Sequence, residues 1–292
     1  MTKLDASIMS YKNCGHWGNY KYRGNCSGHV IKDLLDTFKP KRFIEVFSGG
    51  GTGQDVAKET GYAKNSLNLD LNNGWDAMKD EIPVASDFIF SHPPYWDIIP
   101  YEKERNNQYH PDDLSNNMSY QEFIKKLDEV NRKIYDSLTV GGRHAFLIGD
   151  VRKNHKYYSI IKDMTWFGEL EEHLIKEQFN TVSAKKHYNG SFIPISHEHL
   201  LVFKKTSIWS MPVKFTKDFD KDIRQLDKIT WRALVQGAVQ ALNGHASLKD
   251  LYESLNGCKK SIHNKNWQAK VRQILQDSTA FIRVNTGVYE LR

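Results

Sequence analysis

The chain has 292 residues, of which 39% are hydrophobic and 26% charged, and its formal net charge at pH 7 is +6. This composition excludes a disordered chain, and the length is enough for one large domain or two smaller ones. No apolar run approaches the ~20 residues that a membrane span needs, and the N-terminus lacks an apolar signal-type core. Three scattered cysteines show neither a CxxC pair nor metal-ligand spacing. We therefore expect a cytoplasmic protein with reduced thiols, no metal and no membrane partner.

The first part of the chain alternates short apolar runs with helix-like segments. Helical spacing of apolar residues predicts helices at residues 29–38 and 52–61. Short apolar runs that end in glycines or polar residues predict buried strands at 42–47, 65–71 and 86–91. This βαβ rhythm is typical of an α/β fold, in which a parallel sheet is covered on both faces.

The same rhythm continues after a long polar segment. Residues 97–118 are polar and rich in turn formers, and a loop of this length inside a compact domain is usually functional or disordered. The elements predicted after it are a helix at 119–138, a strand at 143–150, a helix at 166–178, and a hairpin pair of edge strands at 179–188 and 198–205.

The last quarter of the chain has a different pattern. Three short helices and a hairpin around Asn285-Thr286-Gly287 are predicted within ~65 residues, which favours a winged-helix module. From Gly257 to Arg292 seven basic residues face two acidic ones, so most of the net positive charge lies there. We predict a first domain at 1–207, a linker at 208–228 and a winged-helix domain at 229–292.

A glycine-rich turn joins the first predicted strand to the next helix. It reads EVFSGGGTG, and Gly49, Gly50 and Gly51 allow a sharp turn with a ligand close to the backbone. Asp70 ends the following strand, where an acid can accept both hydroxyls of a ribose. The pattern predicts a cofactor that contains adenosine, but it does not by itself choose between NAD and S-adenosylmethionine.

A second motif, SHPPYW, follows the strand at 86–91. Two consecutive prolines stiffen the strand end, and their carbonyl groups point in fixed directions towards the cofactor crevice. A fixed carbonyl, a polar side chain and a ring can together hold a flat heterocycle that carries an amino group. Hydrogen bonds to both amino hydrogens favour the pyramidal nitrogen that attacks a methyl group.

The two motifs together resemble those of DNA amino-methyltransferases. EVFSGGGT resembles the cofactor motif of that family, HPPY its catalytic motif, and NCSGHVIKDLL the segment that closes over the methionine end of the cofactor. LIGDVRK and HEHLLVFKK resemble later strands, so the similarity covers about residues 15–205. It implies a class I methyltransferase with a Rossmann-like doubly wound sheet, S-adenosyl-L-methionine as the methyl donor, and N6 of adenine or N4 of cytosine as the acceptor.

The resemblance also assigns site residues. Those expected to bind the cofactor are Glu45, Phe47, Ser48, Gly49, Gly50, Gly51, Thr52, Asp70 and Leu71, with Asn25, Ser27 and His29 from the closing segment. Those expected in catalysis are His92, Pro93, Pro94 and Tyr95, with Ser91 as an alternative.

The chain departs from the family at the first catalytic position, where the family has Asp, Asn or Ser and this chain has His92. A neutral imidazole can accept one hydrogen bond, whereas a protonated one cannot. We therefore expect activity to fall as the pH drops through the His92 titration. On the reference pKa near 6.5, a flat rate from about pH 5.5 to 8 would favour Ser91 or a water molecule instead.

Such an enzyme must flip its target base out of a duplex or act on single strands. The loop at 97–118 supplies Tyr101, Lys103 and Arg105 as candidate contacts to the flanking nucleotides. The C-terminal segment resembles helix-turn-helix modules that end in a GVY-x-L wing. Its predicted recognition helix at 264–277 carries three candidate DNA contacts and its wing a fourth, and these residues are Lys265, Gln268, Arg272 and Arg283.

Several functions remain open from the sequence. We prefer adenine N6 as the acceptor, with cytosine N4 as the close alternative. The same fold also serves acceptors in RNA or on a protein glutamine, and a catalytically inactive DNA-binding regulator is a further alternative. A Rossmann oxidoreductase is disfavoured because no hydride-transfer constellation is visible. DNA is the expected partner, and a cognate restriction or phage-defence component is left open.

Overall fold

The computed structural model describes residues 4–179, 193–218 and 220–292. Packing divides the chain into two units, Met1–Lys217 and Asp218–Arg292. The predicted domain boundaries at 207 and 229 lie on either side of this division. Among the described residues, no helix combines the length and the apolar character that crossing a membrane requires.

The first unit is a mixed α/β structure around one central sheet. Its strands are β1 (Ile8–Met9), β2 (Phe43–Val46), β3 (Ser66–Leu69), β4 (Ser86–Ser91), β5 (Leu138–Ile148), β6 (Val151–Lys153), β7 (Lys156–Tyr158), β8 (Trp166–Phe167), β9 (Glu169–Glu177), β10 (His197–Lys204) and β11 (Val213–Lys214). The central sheet has the order β1-β9-β10-β5-β4-β2-β3, while β6 pairs with β7 and β8 with β11. All neighbours in the central sheet are parallel except β10, which is antiparallel to β5 and β9.

Helices cover both faces of this sheet. They are α1 (Gly28–Phe38), α2 (Thr52–Glu59), α3 (Tyr120–Ser137) and the short α4 (Ile160–Asp163). Successive strand residues point to opposite faces, so Phe43 packs with the apolar residues of α1 and α2, whereas Ile44 packs with α3. Helix α2 connects β2 to β3 and helix α3 connects β4 to β5, and each packs on an apolar face of the sheet. The carboxyl edge of the strands is left free for a site.

The predicted helix at 166–178 is wrong, because these residues form β8 and β9. Strand β9 pairs with β10 on one side and with β1 on the other, so its backbone groups are hydrogen-bonded within the sheet. The predicted hairpin at the sheet edge is also revised. Strand β10 lies inside the sheet between β9 and β5, and residues 180–188 of the predicted partner strand lie outside the described residues.

The second unit has its own core. Its elements are α5 (Trp231–Ala241), β12 (His245–Ser247), α6 (Leu248–Leu255), α7 (Lys259–Ile262), α8 (Trp267–Leu275), β13 (Phe281–Asn285) and β14 (Val288–Leu291). The three strands form an antiparallel sheet in the order β12-β14-β13. Apolar residues from α5, α6, α8 and β13 pack together in its core. The assignment of this unit to the winged-helix class remains a prediction.

Candidate active site

Two clefts open at the carboxyl edge of the parallel strands, and both belong to the first unit. The first cleft encloses about 730 Å³ of empty space, its open mouth included. It follows β2 and β3 and is lined by Glu45, Phe47, Ser48, Gly49, Thr52, Asp70 and Leu71, with other side chains around them. The second cleft encloses about 2300 Å³ on the same basis. The two clefts share four lining residues, namely Gly24, Asn25, His92 and Tyr101.

The glycine turn follows β2 and leads directly into α2. Phe47, Gly49 and Gly51 all have positive φ, of 63°, 44° and 79° respectively. A Cβ atom on Gly49 would lie 2.8 Å from the ring of Tyr22, so only glycine fits beneath that ring. The turn thus brings bare backbone to the wall of the first cleft at the start of a helix.

Glu45 lines the first cleft, and its carboxyl group is buried beside Gly53 of α2. Its side-chain atom Oε2 has no hydrogen-bond partner among the described residues, and the same is true of Oγ1 of Thr52. Burial, and then the charge of Asp70, raise the pKa of Glu45 well above its usual range, while the N–H of Gly53 partly offsets them. Because a buried polar atom without a partner costs free energy, these two orphaned atoms fit a ligand that donates hydrogen bonds.

Asp70 connects the end of β3 to the glycine turn. Its two oxygens accept hydrogen bonds of 2.9 Å from the backbone N–H groups of Gly49 and Asn72. Burial raises the pKa of its carboxyl group in spite of these bonds. Each carboxylate oxygen can accept more than one hydrogen bond, so Asp70 retains capacity for ligand hydroxyls.

The remaining predicted cofactor residues divide into three groups. Asn25 lines both clefts, and Ser27 lines the second one. Gly50 and Gly51 shape the turn but line neither cleft. His29 also lies outside both clefts, because its ring packs against Tyr11 and Trp17 and it contacts the side chain of Asn13 at 3.2 Å. The expectation that His29 binds the cofactor stays a prediction.

The residues after β4 lie where the two clefts meet. Pro94 lines the first cleft, Pro93 and Tyr95 line the second, and His92 lines both. A Cβ atom on Gly149 would lie 2.6 Å from the Tyr95 ring, so glycine at the end of β5 allows this ring to lie against the backbone.

Ser91 does not reach either cleft. It is fully buried, and its hydroxyl group lies 2.6 Å from Nε2 of His144 on β5. The alternative catalytic role predicted for Ser91 is therefore corrected, because its side chain is committed to the sheet interior.

His92 is neutral over the ordinary pH range. Burial lowers its pKa to about 4, although the charge of Glu198 acts in the opposite direction. A flat rate from about pH 5.5 to 8 is consequently what His92 itself would give. The sequence-based expectation that such a rate argues against His92 depended on the reference pKa, and it is withdrawn.

The loop at 97–118 forms a wall of the first cleft. It contains a short 3₁₀ helix, Tyr101–Arg105, and its Tyr101 ring stacks on Tyr22 with centroids 5.7 Å apart. Arg105 forms an ion pair of 2.5 Å with Asp113, and the two side chains are 11% and 4% exposed. Arg105 is therefore part of the cleft wall and offers little surface to a nucleic acid, whereas Lys103 is exposed.

In the second unit, the residues predicted to contact DNA are all exposed. Lys265 precedes α8, while Gln268 and Arg272 are four residues apart on it and share one face. Arg272 donates a hydrogen bond of 2.8 Å to the hydroxyl group of Tyr252, and Arg283 lies on β13.

Two clusters of described side chains have the composition of metal sites. Asp150, His197 and His199 bring ligand atoms within 4.8 Å of one another, and so do Asp76, His110 and Asp112. In the second cluster, Lys79 pairs with both aspartates. In the first cluster, one oxygen of Asp150 already accepts from Tyr157 at 2.7 Å and lies 3.4 Å from His199. Since protein groups account for these contacts, we assign neither cluster as a metal centre.

Three residues of the clefts were missed by sequence reasoning. Tyr22 covers the glycine turn, while Lys176 and Glu198 line the second cleft. The sequence offered one signal for this part of the site, since Glu198 is an acidic residue next to the apolar run of β10. Because β10 is antiparallel, the start of this strand lies at the edge where the parallel strands end.

No protein-family model matches the chain, and no curated protein matches it. Similar solved structures include TrmN from Thermus thermophilus, with 14% identity and a TM-score of 0.34 over 63% of this chain and 50% of TrmN. TTHA0409, also from Thermus thermophilus, is named provisionally as a DNA modification methylase and was solved with S-adenosyl-L-methionine; it has 16% identity and a TM-score of 0.30 over 59% of this chain and 58% of that one. The N-methyltransferase NodS from Bradyrhizobium japonicum WM9, in complex with S-adenosyl-L-homocysteine, has 9% identity and a TM-score of 0.35 over 62% and 86%.

The chain thus spans about half the length of the first of these structures. At such identities and TM-scores, the likeness carries no weight for function. The case for a function depends on the two clefts and on the residues that line them.

Proposed function

We propose that this chain is an S-adenosyl-L-methionine-dependent methyltransferase that acts on the exocyclic amino group of a flipped base in DNA, with adenine N6 preferred. The observation that carries the proposal is that two clefts meet at His92, in the segment that follows β4. A methyl donor in the first cleft and an amino group in the second would then both lie beside His92, where the two clefts open into each other.

The first cleft fits the methyl donor. Asp70 is placed to accept ribose hydroxyls beside the backbone of the glycine turn, and the orphaned Oε2 of Glu45 suits a positively charged amino group. A buried carboxylate that gains such a partner recovers the free energy it loses by desolvation. When bound, S-adenosyl-L-methionine supplies a methyl group activated by an adjacent sulfonium.

The second cleft fits a planar amine. We assign the Pro93 carbonyl and the His92 imidazole as acceptors for the two amino hydrogens, and Tyr95 as the ring that contacts the base. In the reaction, the amine nitrogen forms a bond to the methyl carbon as the bond from methyl to sulfur breaks. The donor would be left as a neutral thioether, and the methylated nitrogen would release one proton to water in the second cleft. Holding the nitrogen in line with the methyl carbon provides much of the rate enhancement.

The choice of DNA is supported by the second unit. Its exposed Lys265, Arg272 and Arg283 add positive charge to a module with the element order of winged helices. Cytosine N4 is the close alternative, because it offers the same amino group to the same acceptors. An inactive DNA-binding regulator is the alternative of a different class, and the substitution of His for the usual first catalytic residue is the observation in its favour.

A panel of methyl acceptors tests the proposal. The full chain is incubated with methyl-labelled S-adenosyl-L-methionine and, in separate reactions, duplex DNA, single-stranded DNA, RNA or total protein. We expect label in DNA, and its loss in a His92→Leu variant that still binds the donor. Label in RNA or protein alone would reassign the substrate, and donor binding without any transfer would favour the inactive regulator.

A further inference from the structure

A chain of polar contacts connects His92 to the ends of two strands. Nζ of Lys176 donates to Oε2 of Glu198 at 2.5 Å, and the hydroxyl group of Tyr95 donates to Oε1 of the same carboxylate at 2.5 Å. The Tyr95 hydroxyl oxygen also lies 2.8 Å from Nε2 of His92. These four residues, which we call the His92 relay, lie in or beside the second cleft.

The sheet register builds the carboxylate end of the relay. Glu198 and Lys176 are direct partners across the antiparallel pair β10 and β9. Their side chains are 6% and 13% exposed, so the ion pair is largely withdrawn from water. The Tyr95 ring reaches Glu198 because Gly149 has no side chain to obstruct it. The register of β9 and β10 thus fixes the carboxylate end of the relay, whereas His92 and Tyr95 lie in the segment that follows β4.

The direction of every hydrogen bond in the relay follows from Glu198. An ionised carboxylate only accepts, and an ammonium group only donates. Burial alone would raise the pKa of Glu198, but the charge and hydrogen bond of Lys176, together with His92 and the hydrogen bond from Tyr95, outweigh it and hold the pKa below its usual range. Burial and the charge of Glu198 raise the pKa of Tyr95 well above its usual range, so the tyrosine keeps its single proton.

The hydroxyl proton of Tyr95 determines which nitrogen of His92 carries a hydrogen. The Tyr95 hydroxyl group uses its hydrogen towards Glu198, so it can only accept from His92. Nε2 of His92 must therefore carry a hydrogen. A neutral imidazole has one N–H group, which leaves Nδ1 as an acceptor, and Nδ1 has no partner among the described residues.

We propose that Lys176, Glu198 and Tyr95 are positioning residues that hold His92 in the Nε2–H tautomer, so that Nδ1 accepts a hydrogen bond from the acceptor amine. This inference rests on the proposed function, and it explains how a histidine does the work of a carboxylate, amide or hydroxyl oxygen. It also narrows the substrate class, because Nδ1 in this tautomer can hold only a group that donates a hydrogen. Fixing the tautomer through the second ring nitrogen is the same device that orients histidines in other sites.

The tautomer can be observed without substrate or cofactor. The imidazole ¹⁵N chemical shifts of ¹⁵N-histidine-labelled full chain distinguish a protonated nitrogen from an unprotonated one, and His92→Gln assigns the signals. We expect wild-type His92 to show protonated Nε2 and unprotonated Nδ1 from about pH 5.5 to 8. Protonated Nδ1, or a doubly protonated ring at pH 7, would overturn the inference. Since no reaction is needed, this result stands even if the proposed function fails.

Two tyrosine variants separate the relay from a general structural effect. Tyr95→Phe retains the ring and removes the oxygen that fixes His92, so we expect its His92 signals to move towards a mixture of tautomers. Tyr120→Phe is the matched control, because Tyr120 also donates to a carboxylate, Asp163 at 2.9 Å, but lines neither cleft. If His92 keeps the wild-type tautomer in folded Tyr95→Phe, the relay does not control it.

A double-mutant cycle provides the kinetic test. Tyr95→Phe should lower kcat about tenfold or more with KM little changed, since the ring that contacts the base is retained. In a His92→Asn background the amide oxygen accepts without help, so adding Tyr95→Phe should have almost no further effect. Equal losses in both backgrounds would show that Tyr95 acts independently of His92 and would contradict the inference.

Discussion

Adding one methyl group beside Glu45 tests the first cleft. Gly53 lies in α2, and a Cβ atom there would be 2.3 Å from Oε2 of Glu45, where ordinary contacts begin at 3.4 Å. Since 3.4 minus 2.3 is 1.1, Gly53→Ala must displace the Glu45 carboxylate by about 1 Å. Glu45 is only 3% exposed, so it has little room to find another position for the same partner.

The expected loss follows from that displacement. A hydrogen bond to a charged group contributes about 1.5–3 kcal/mol, so the affinity for S-adenosyl-L-methionine should fall roughly ten- to a hundredfold. The free energy of unfolding should fall by about 1–3 kcal/mol, because the displaced carboxyl group is buried and closely packed, although alanine itself favours the helix.

Calorimetric titration of the donor and urea unfolding measure the two quantities. The matched control is Gly237→Ala in α5, where a Cβ atom meets nothing within 4 Å. We expect the control to bind the donor like wild type and to be equally or slightly more stable. Unchanged donor affinity in folded Gly53→Ala would refute the assignment of Glu45 to the donor.

Other changes report on separate parts of the account. Asp70→Asn replaces one acceptor oxygen with a donor facing a backbone N–H, so donor affinity should fall about tenfold or more in the same titration. A plot of log kcat against pH should be flat from about pH 5.5 to 8 and fall towards the His92 pKa of about 4, and a midpoint near 6.5 would contradict the burial of His92. Burial also lowers the pKa of His144, to about 3. Between about pH 6.5 and 4 the unfolded chain therefore binds protons at these two histidines that the folded chain does not, whereas the raised pKa of Glu45 acts in the opposite direction. The contribution of His144 to the free energy of unfolding should decrease as the pH falls, and urea titrations of wild type and His144→Gln at pH 7 and 5.5 isolate it. If α8 binds DNA, Lys265→Gln and Arg272→Gln should each reduce the slope of log affinity against log salt by about one, and an unchanged slope would remove that face from the interface.

Local sequence signals were enough to predict where the glycine turn and the proline segment lie. The turn needs φ values that glycine tolerates, and an apolar run that ends in glycines is a strand end in many contexts. Because parallel strands share one carboxyl edge, the sequence also predicted that Gly49 and Pro93 would lie at the same end of the sheet. Gly49 lines the first cleft and Pro93 the second, and the two clefts share His92.

The segment at 166–178 shows where local signals fail. Leu170 and Leu174 are four residues apart among charged residues, which is a helical spacing. The structure instead forms a strand, which pairs with β10 along its length and with β1 at Ile175 and Lys176. Partners so distant along the chain leave no mark on the local pattern.

The His92 relay was beyond prediction for a related reason. Tyr95 and Glu198 are 103 residues apart, and only the reversed direction of β10 brings them together. Contacts of this kind also determine the protonation of His92. Burial lowers its pKa, and the relay selects its tautomer. The sequence indicated which segment to propose as catalytic, but the protonation state of His92 in that segment depends on neighbours from other strands.

The most direct test of the whole account is the identity of the methylated product. Duplex DNA is incubated with labelled S-adenosyl-L-methionine and the full chain and digested to nucleosides, which are separated by chromatography against standards of each methylated isomer. We expect the label on the exocyclic nitrogen of one base, N6-methyldeoxyadenosine being the favoured product and N4-methyldeoxycytidine the alternative, and its loss in His92→Leu. Label on a ring carbon, or transfer that survives in His92→Leu, would contradict the claim that the two clefts meet at His92 to methylate an amine.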